Sequence, residues 1–137
     1  MNKPLLFSAV LAAFTAMVHV LAGGVTVAAP LLASSLDLTP KLTLYAVWHL
    51  VSATLALTSV ALLIAAFPRH ASSSRYLVLF ISVLWLGFGG VFILIASIRP
   101  EEGLLLELPQ WTLLLPVGLL ALWGSIRTGN DEPYKSP

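Results

Sequence analysis

His19 and His49 each lie within a long apolar stretch of the chain. Imidazole takes or gives a proton near neutral pH and also ligates metals. An ionisable side chain inside a membrane-crossing helix is therefore a functional candidate by default. Two imidazoles on neighbouring helices are also one way to hold a haem iron. As a zinc site the pair falls short, because zinc usually takes four ligands. The competing reading is structural: both histidines are hydrogen-bonding groups in a helix–helix seam. Such bonds are worth on the order of 0.6 kcal/mol each in membrane proteins.

The neighbours of the two histidines share a spacing. Ser8, Ala12, Thr15, His19 and Ala22 follow alternating steps of four and three, as do Tyr45, His49, Ser52, Ala56 and Ser59. On a helix such steps trace one narrow stripe. Set antiparallel, the stripes place Ala22 near Tyr45, His19 near His49, Thr15 near Ser52, Ala12 near Ala56 and Ser8 near Ser59. Small and weakly polar residues are what membrane helices use to approach closely. The candidate intramembrane polar site is thus His19, His49, Tyr45, Ser52 and Thr15. The same close packing argues against a macrocycle between the two faces, since packed helix axes lie about 8–10 Å apart. No cofactor is predicted outright, and the alternative is haem or a metal ion on His19 and His49.

The elements that must position these residues are four apolar runs, Leu5 to Ala22, Leu42 to Phe67, Tyr76 to Ile98 and Pro109 to Ile126. Crossing a hydrocarbon core takes about 17–25 helical residues. None of the runs contains Asp, Glu, Lys or Arg. In lipid every backbone polar group must be satisfied within its own segment, so such runs are helices. Gly23-Gly24 is expected to end the first helix, and Pro68 and Pro100 to stop the second and third. Pro109 suits a first helical turn, and Pro116 is expected to bend the fourth run. The segment from Pro30 to Leu36 is either a short surface helix or an irregular loop. Residues 128–137 are polar and expected to be a disordered tail. The spacing thus predicts an all-α membrane protein, a four-transmembrane-helix bundle over residues 1–127 running up-down-up-down.

Composition supports that class. Of 137 residues, 58% are apolar and 9% charged, against roughly 25% charged in soluble domains. So small a domain cannot hide that much apolar surface from water. The partner is therefore the lipid bilayer, with a further membrane protein or a second copy as candidate partners. A net charge of +1 without a Lys/Arg cluster excludes a nucleic-acid binder. There is no cysteine, hence no disulfide or thiolate chemistry. No acid lies in a run to complete a Ser–His hydrolase.

Lys3, Arg69, Arg75, Arg127 and Lys135 fall on one side of this arrangement, and Lys41 and Arg99 on the other with Asp37, Glu101, Glu102 and Glu107. The excess of basic residues predicts cytoplasmic N- and C-termini. The alternative for the first run is a cleaved signal peptide ending at Val20-Leu21-Ala22.

The segments His19-Val20-Leu21-Ala22-Gly23-Gly24, Ala29-Pro30-Leu31-Leu32-Ala33-Ser34 and Tyr45-Ala46-Val47-Trp48-His49 resemble small four-span inner-membrane proteins of proteobacteria. That resemblance covers about the first half of the chain and implies a bacterial cell membrane, with no particular activity. Four-helix multidrug exporters carry a membrane-embedded Glu in their first helix, and this chain has none there. The expectation is a non-enzymatic accessory or scaffold protein. The alternative is a small transporter, or a ligand-, metal- or haem-binding protein, centred on the histidines.

Overall fold

The computed structural model describes residues 1–71, 73–99 and 103–130, and all regular structure among them is helical. Helix α1 (Lys3–Gly23) is capped by Asn2, whose Oδ1 accepts from the Leu5 N–H at 3.2 Å. Pro4 occupies its first turn, where a missing N–H costs nothing. The glycines do not end this helix. It widens into a π turn, Gly24–Ala28, and resumes as α2 (Ala29–Ala33). Pro30 explains the widening. Its ring would clash with the carbonyl four residues back in a regular helix, and a π turn makes the room. The expected loop from Gly24 onward is therefore helix, and the connection shrinks to residues 34–37.

Helix α3 (Leu38–Ala65) returns along α1. Lys41 Nζ donates to the Ser34 carbonyl at 2.6 Å, a cation on a carbonyl beyond the C-terminus of α2. Short α4 (Pro68–Ala71) leads to α5 (Arg75–Ile98), then α6 (Leu104–Glu107) and α7 (Trp111–Asn130). Gly103, at φ 83°, takes the left-handed turn before α6.

α1 lies between α3 and α7, and α7 lies between α1 and α5. α3 and α5 close the ring through fewer contacts, among them a bond from Trp85 Nε1 to Thr58 Oγ1 at 3.0 Å. Trp85 is fully buried and anchors this side of the core. At the end carrying the N-terminus, Asn2 joins three helices. Its N–H donates to the Ala66 carbonyl at 2.9 Å, and its Nδ2 donates to the Gly124 carbonyl at 2.8 Å. The start of α1 and the ends of α3 and α7 therefore share one end of the bundle, here called the terminal end.

The molecule places small and hydroxyl-bearing residues inside and large apolar ones outside. Ser8, Ala12, Ser82, Val117 and Ala121 are buried, whereas Val10, Leu57, Phe80 and Leu119 are exposed. Three stretches, Lys3–Ala33, Leu38–Ala65 and Arg75–Ile98, are long and apolar enough to cross a membrane. The protein is thus an all-α membrane bundle. The apolar part of α7, Trp111–Arg127, is shorter. The 31 residues of Lys3–Ala33 extend about 46 Å, more than the ~30 Å of a hydrocarbon core, so this helix tilts or protrudes.

α7 continues to Asn130 despite Pro116, so residues 128–130 of the expected tail are helical, and residues 131–137 lie outside the described residues. Glu101 and Glu102 lie outside them as well.

Candidate functional site

The turn at residues 34–37 sets the register of the α1/α3 pair. Residues equally far from its middle face one another, so Gly23 meets Trp48 and His19 meets Ser52. A Cβ at Gly23 would lie 3.8 Å from Trp48 Nε1, and His19 Nε2 lies 3.1 Å from Ser52 Oγ. The expected pairing of His19 with His49 is off by about one helical turn, because it centred the hairpin near residue 34, within a loop from Gly24 to Lys41, and the turn lies at residues 34–37.

The stripe on α3 also differs from the expected one. Trp48, Ser52, Leu55, Ser59 and Leu62 face the bundle, while His49 and Ala56 are exposed. Each is one residue from the true contact position, about 100° around the helix. Ser8 turns toward α7 instead of Ser59, donating to the Val117 carbonyl at 2.8 Å.

His19 is half-buried and stacks on the Trp48 indole, with centroids 4.7 Å apart and planes 21° from parallel. Its Nε2 also lies 3.4 Å from the Trp48 carbonyl. The Ser52 hydroxyl donates to that same carbonyl at 3.0 Å. A carbonyl only accepts, and the single Ser52 proton is committed to it. With the Ser52 proton on that carbonyl, the His19 tautomer that carries its hydrogen on Nε2 donates to Ser52 Oγ.

His49 stands elsewhere. Its ring meets Tyr45 edge-on at 4.6 Å and Trp48 edge-on at 5.0 Å. Tyr45 and Trp48 are nearly coplanar in direction, 6.4 Å apart. Trp48 thus stacks on His19 and meets His49 at a right angle, and among the described residues no hydrogen bond or ring contact joins the two imidazoles. Thr15, the fifth candidate, donates back to the Leu11 carbonyl of its own helix at 2.8 Å. The structure therefore joins His19 to Ser52, groups Tyr45 and His49 with Trp48, and leaves Thr15 apart.

Trp48 is not among the residues that the spacing singled out as the candidate site. Its signal was available: it lies three residues from Tyr45 and four from Ser52, on the same helix face as both. Thr58 donates back to the Thr54 carbonyl of its own helix at 2.7 Å and also accepts from Trp85. Of the mid-helix glycines, Gly89 is where α7 approaches, since a Cβ there would lie 2.7 Å from Leu115 Cδ2. Gly87 and Gly90 face open space.

Among the described residues no group of three or more His, Cys, Asp or Glu side chains gathers where a metal ion would need them. Each of the five buried hydroxyls, on Ser8, Thr15, Ser59, Ser82 and Ser125, donates to a backbone carbonyl. Chemically the arrangement can hold helices in register and offer one imidazole nitrogen near a π turn. No family model, curated protein or solved structure matches the chain.

Proposed function

We propose that this chain is a four-span protein of a bacterial inner membrane, with both termini cytoplasmic, acting as a non-enzymatic accessory or scaffold subunit. The observation that carries the accessory reading is how the buried hydroxyls are used: all five bond to backbone, while His19 Nε2 and Trp85 Nε1 reach neighbouring helices and Gln110 Oε1 stays unpartnered. Polar groups in lipid cost least when satisfied within the bundle, and these are spent on cohesion.

Support for the fourth span comes from α7. Its apolar stretch of residues 111–127 reaches the lower limit of a crossing helix. It packs along both α1 and α5, which are apolar enough to lie in lipid. Support for the orientation is the charge asymmetry. Lys3, Arg69, Arg75 and Arg127 stand at the terminal end, and Lys41, Arg99, Asp37 and Glu107 at the other. The bacterial origin rests on the sequence resemblance alone.

A second reading, a small transporter or a ligand-, metal- or haem-binding protein, is favoured by one observation. His19 is an ionisable residue in a span, about one turn before a π turn, a helical irregularity frequent at functional sites. An absorption spectrum and metal analysis of protein purified from native membranes separates the readings. The accessory role predicts no haem band and no stoichiometric metal. Either signal, lost in His19→Ala, would replace it with the second reading.

A further inference from the structure

Where α3 ends, the chain makes a cleft. Phe67 N–H donates to the Ile64 carbonyl at 3.2 Å and His70 N–H to the Phe67 carbonyl at 3.0 Å, so the chain turns tightly around Pro68. Ile64, Phe67, Pro68, Arg69 and His70 line a cavity of about 450 Å³, within the ~300–1,000 Å³ of small-molecule sites. Its walls divide by chemistry. Ile64 and Phe67 are exposed apolar side chains on the last turn of a helix fit to span a membrane. Arg69 and His70 follow immediately, at the depth where hydrocarbon gives way to headgroups.

We propose that this cleft binds the headgroup of an anionic phospholipid, with an acyl chain lying along Ile64 and Phe67. The guanidinium of Arg69 offers the planar fork that matches two phosphate oxygens, and the His70 imidazole offers an N–H in either protonation state. Charge complementarity selects an anionic lipid over a zwitterionic one. Lys3, Arg75 and Arg127 lie at the same end, whereas the acidic side chains among the described residues, Asp37 and Glu107, lie at the opposite end. Each basic residue near an anionic membrane surface adds attraction to it. The apolar walls select a lipid over free phosphate, because an inorganic ion would leave Ile64 and Phe67 without a partner. This assignment rests on α3 ending at a membrane surface and not on the accessory reading.

Native mass spectrometry of the full chain released from detergent, with added phosphatidylglycerol or phosphatidylcholine, tests it. The wild type should retain phosphatidylglycerol preferentially. Arg69→Gln should weaken that retention about tenfold, the ~1.5 kcal/mol at the low end for a hydrogen bond to a charged group. His70→Gln, which keeps an N–H donor, should weaken it less. Arg127→Gln removes the same charge at the same end, from a guanidinium seated 5.3 Å over the Trp123 ring, and should leave retention near the wild-type level. Should Arg69→Gln fail to fold by circular dichroism, Arg69→Lys takes its place, since it keeps the charge and loses the fork. Equal retention of the two lipids, an equal loss in Arg127→Gln, or displacement of the lipid by equimolar inorganic phosphate would overturn the proposal.

Discussion

With its Nε2 3.1 Å from Ser52 Oγ and 3.4 Å from the Trp48 carbonyl, and its ring lying on Trp48, His19 is held at three points by α3. His49, one residue beyond Trp48, is exposed and meets only aromatic edges in the contacts described above. Equal depth and equal chemistry therefore do not make the two histidines equivalent. The difference has a measurable consequence. His19→Ala and Ser52→Ala should each destabilise the bundle, and the double variant should fall short of their sum. The shortfall should be about 0.6 kcal/mol and no more than about 1.7 kcal/mol, the range for interhelical hydrogen bonds in membranes. His49→Ala should change stability by less than about 0.5 kcal/mol, as exposed positions usually do. Unfolding in mixed micelles measures all four. A His49→Ala variant as costly as His19→Ala would mean that the imidazoles act together after all.

At the scale of elements, what the sequence made legible was the apolar runs, because lipid leaves an uninterrupted run little choice but helix. The cores of α1, α3, α5 and α7 all lie where hydropathy puts them. The ends of α1 were less legible. Gly23-Gly24 reads as a stop because glycine weakens helices, yet Gly24–Ala28 continues as a π turn that accommodates Pro30. The observed pairs across α1 and α3 follow the turn at residues 34–37 and lie three to four residues further along α3 than expected. The face of α3 was misread for another reason. Residue size favoured Ala56 as a seam residue, but the adjacent Leu55 is the buried one, at 2% exposure. In this Cys-free chain the register can be read directly. Cysteines at Ala12 and Ser59 should crosslink, since the two lie equally far from the turn, while cysteines at Ala12 and Ala56 should not. Disulfide closure needs Cα atoms within about 7 Å. Ready crosslinking of the Ala12 and Ala56 pair would restore the register expected from sequence.

Over the whole molecule, the helices are held together without the hydrophobic effect, because lipid is as apolar as leucine. Cohesion comes from close approach and from satisfied polar groups. At Gly118 a Cβ would meet the Ser82 carbonyl at 3.0 Å, and at Gly124 it would meet the Leu5 nitrogen at 3.2 Å. Asn2 then gathers α1, α3 and α7 at the terminal end through Ala66 and Gly124. That junction brings the chain's described ends to one end of the bundle. The basic residues Lys3, Arg69, Arg75 and Arg127 at this end supply the orientation argument. Reporter fusions after Arg69 and after Arg127 test it most directly. The account predicts that both fusion points report the cytoplasm. A cytoplasmic signal after Arg69 with an external signal after Arg127 would contradict the four-span bundle.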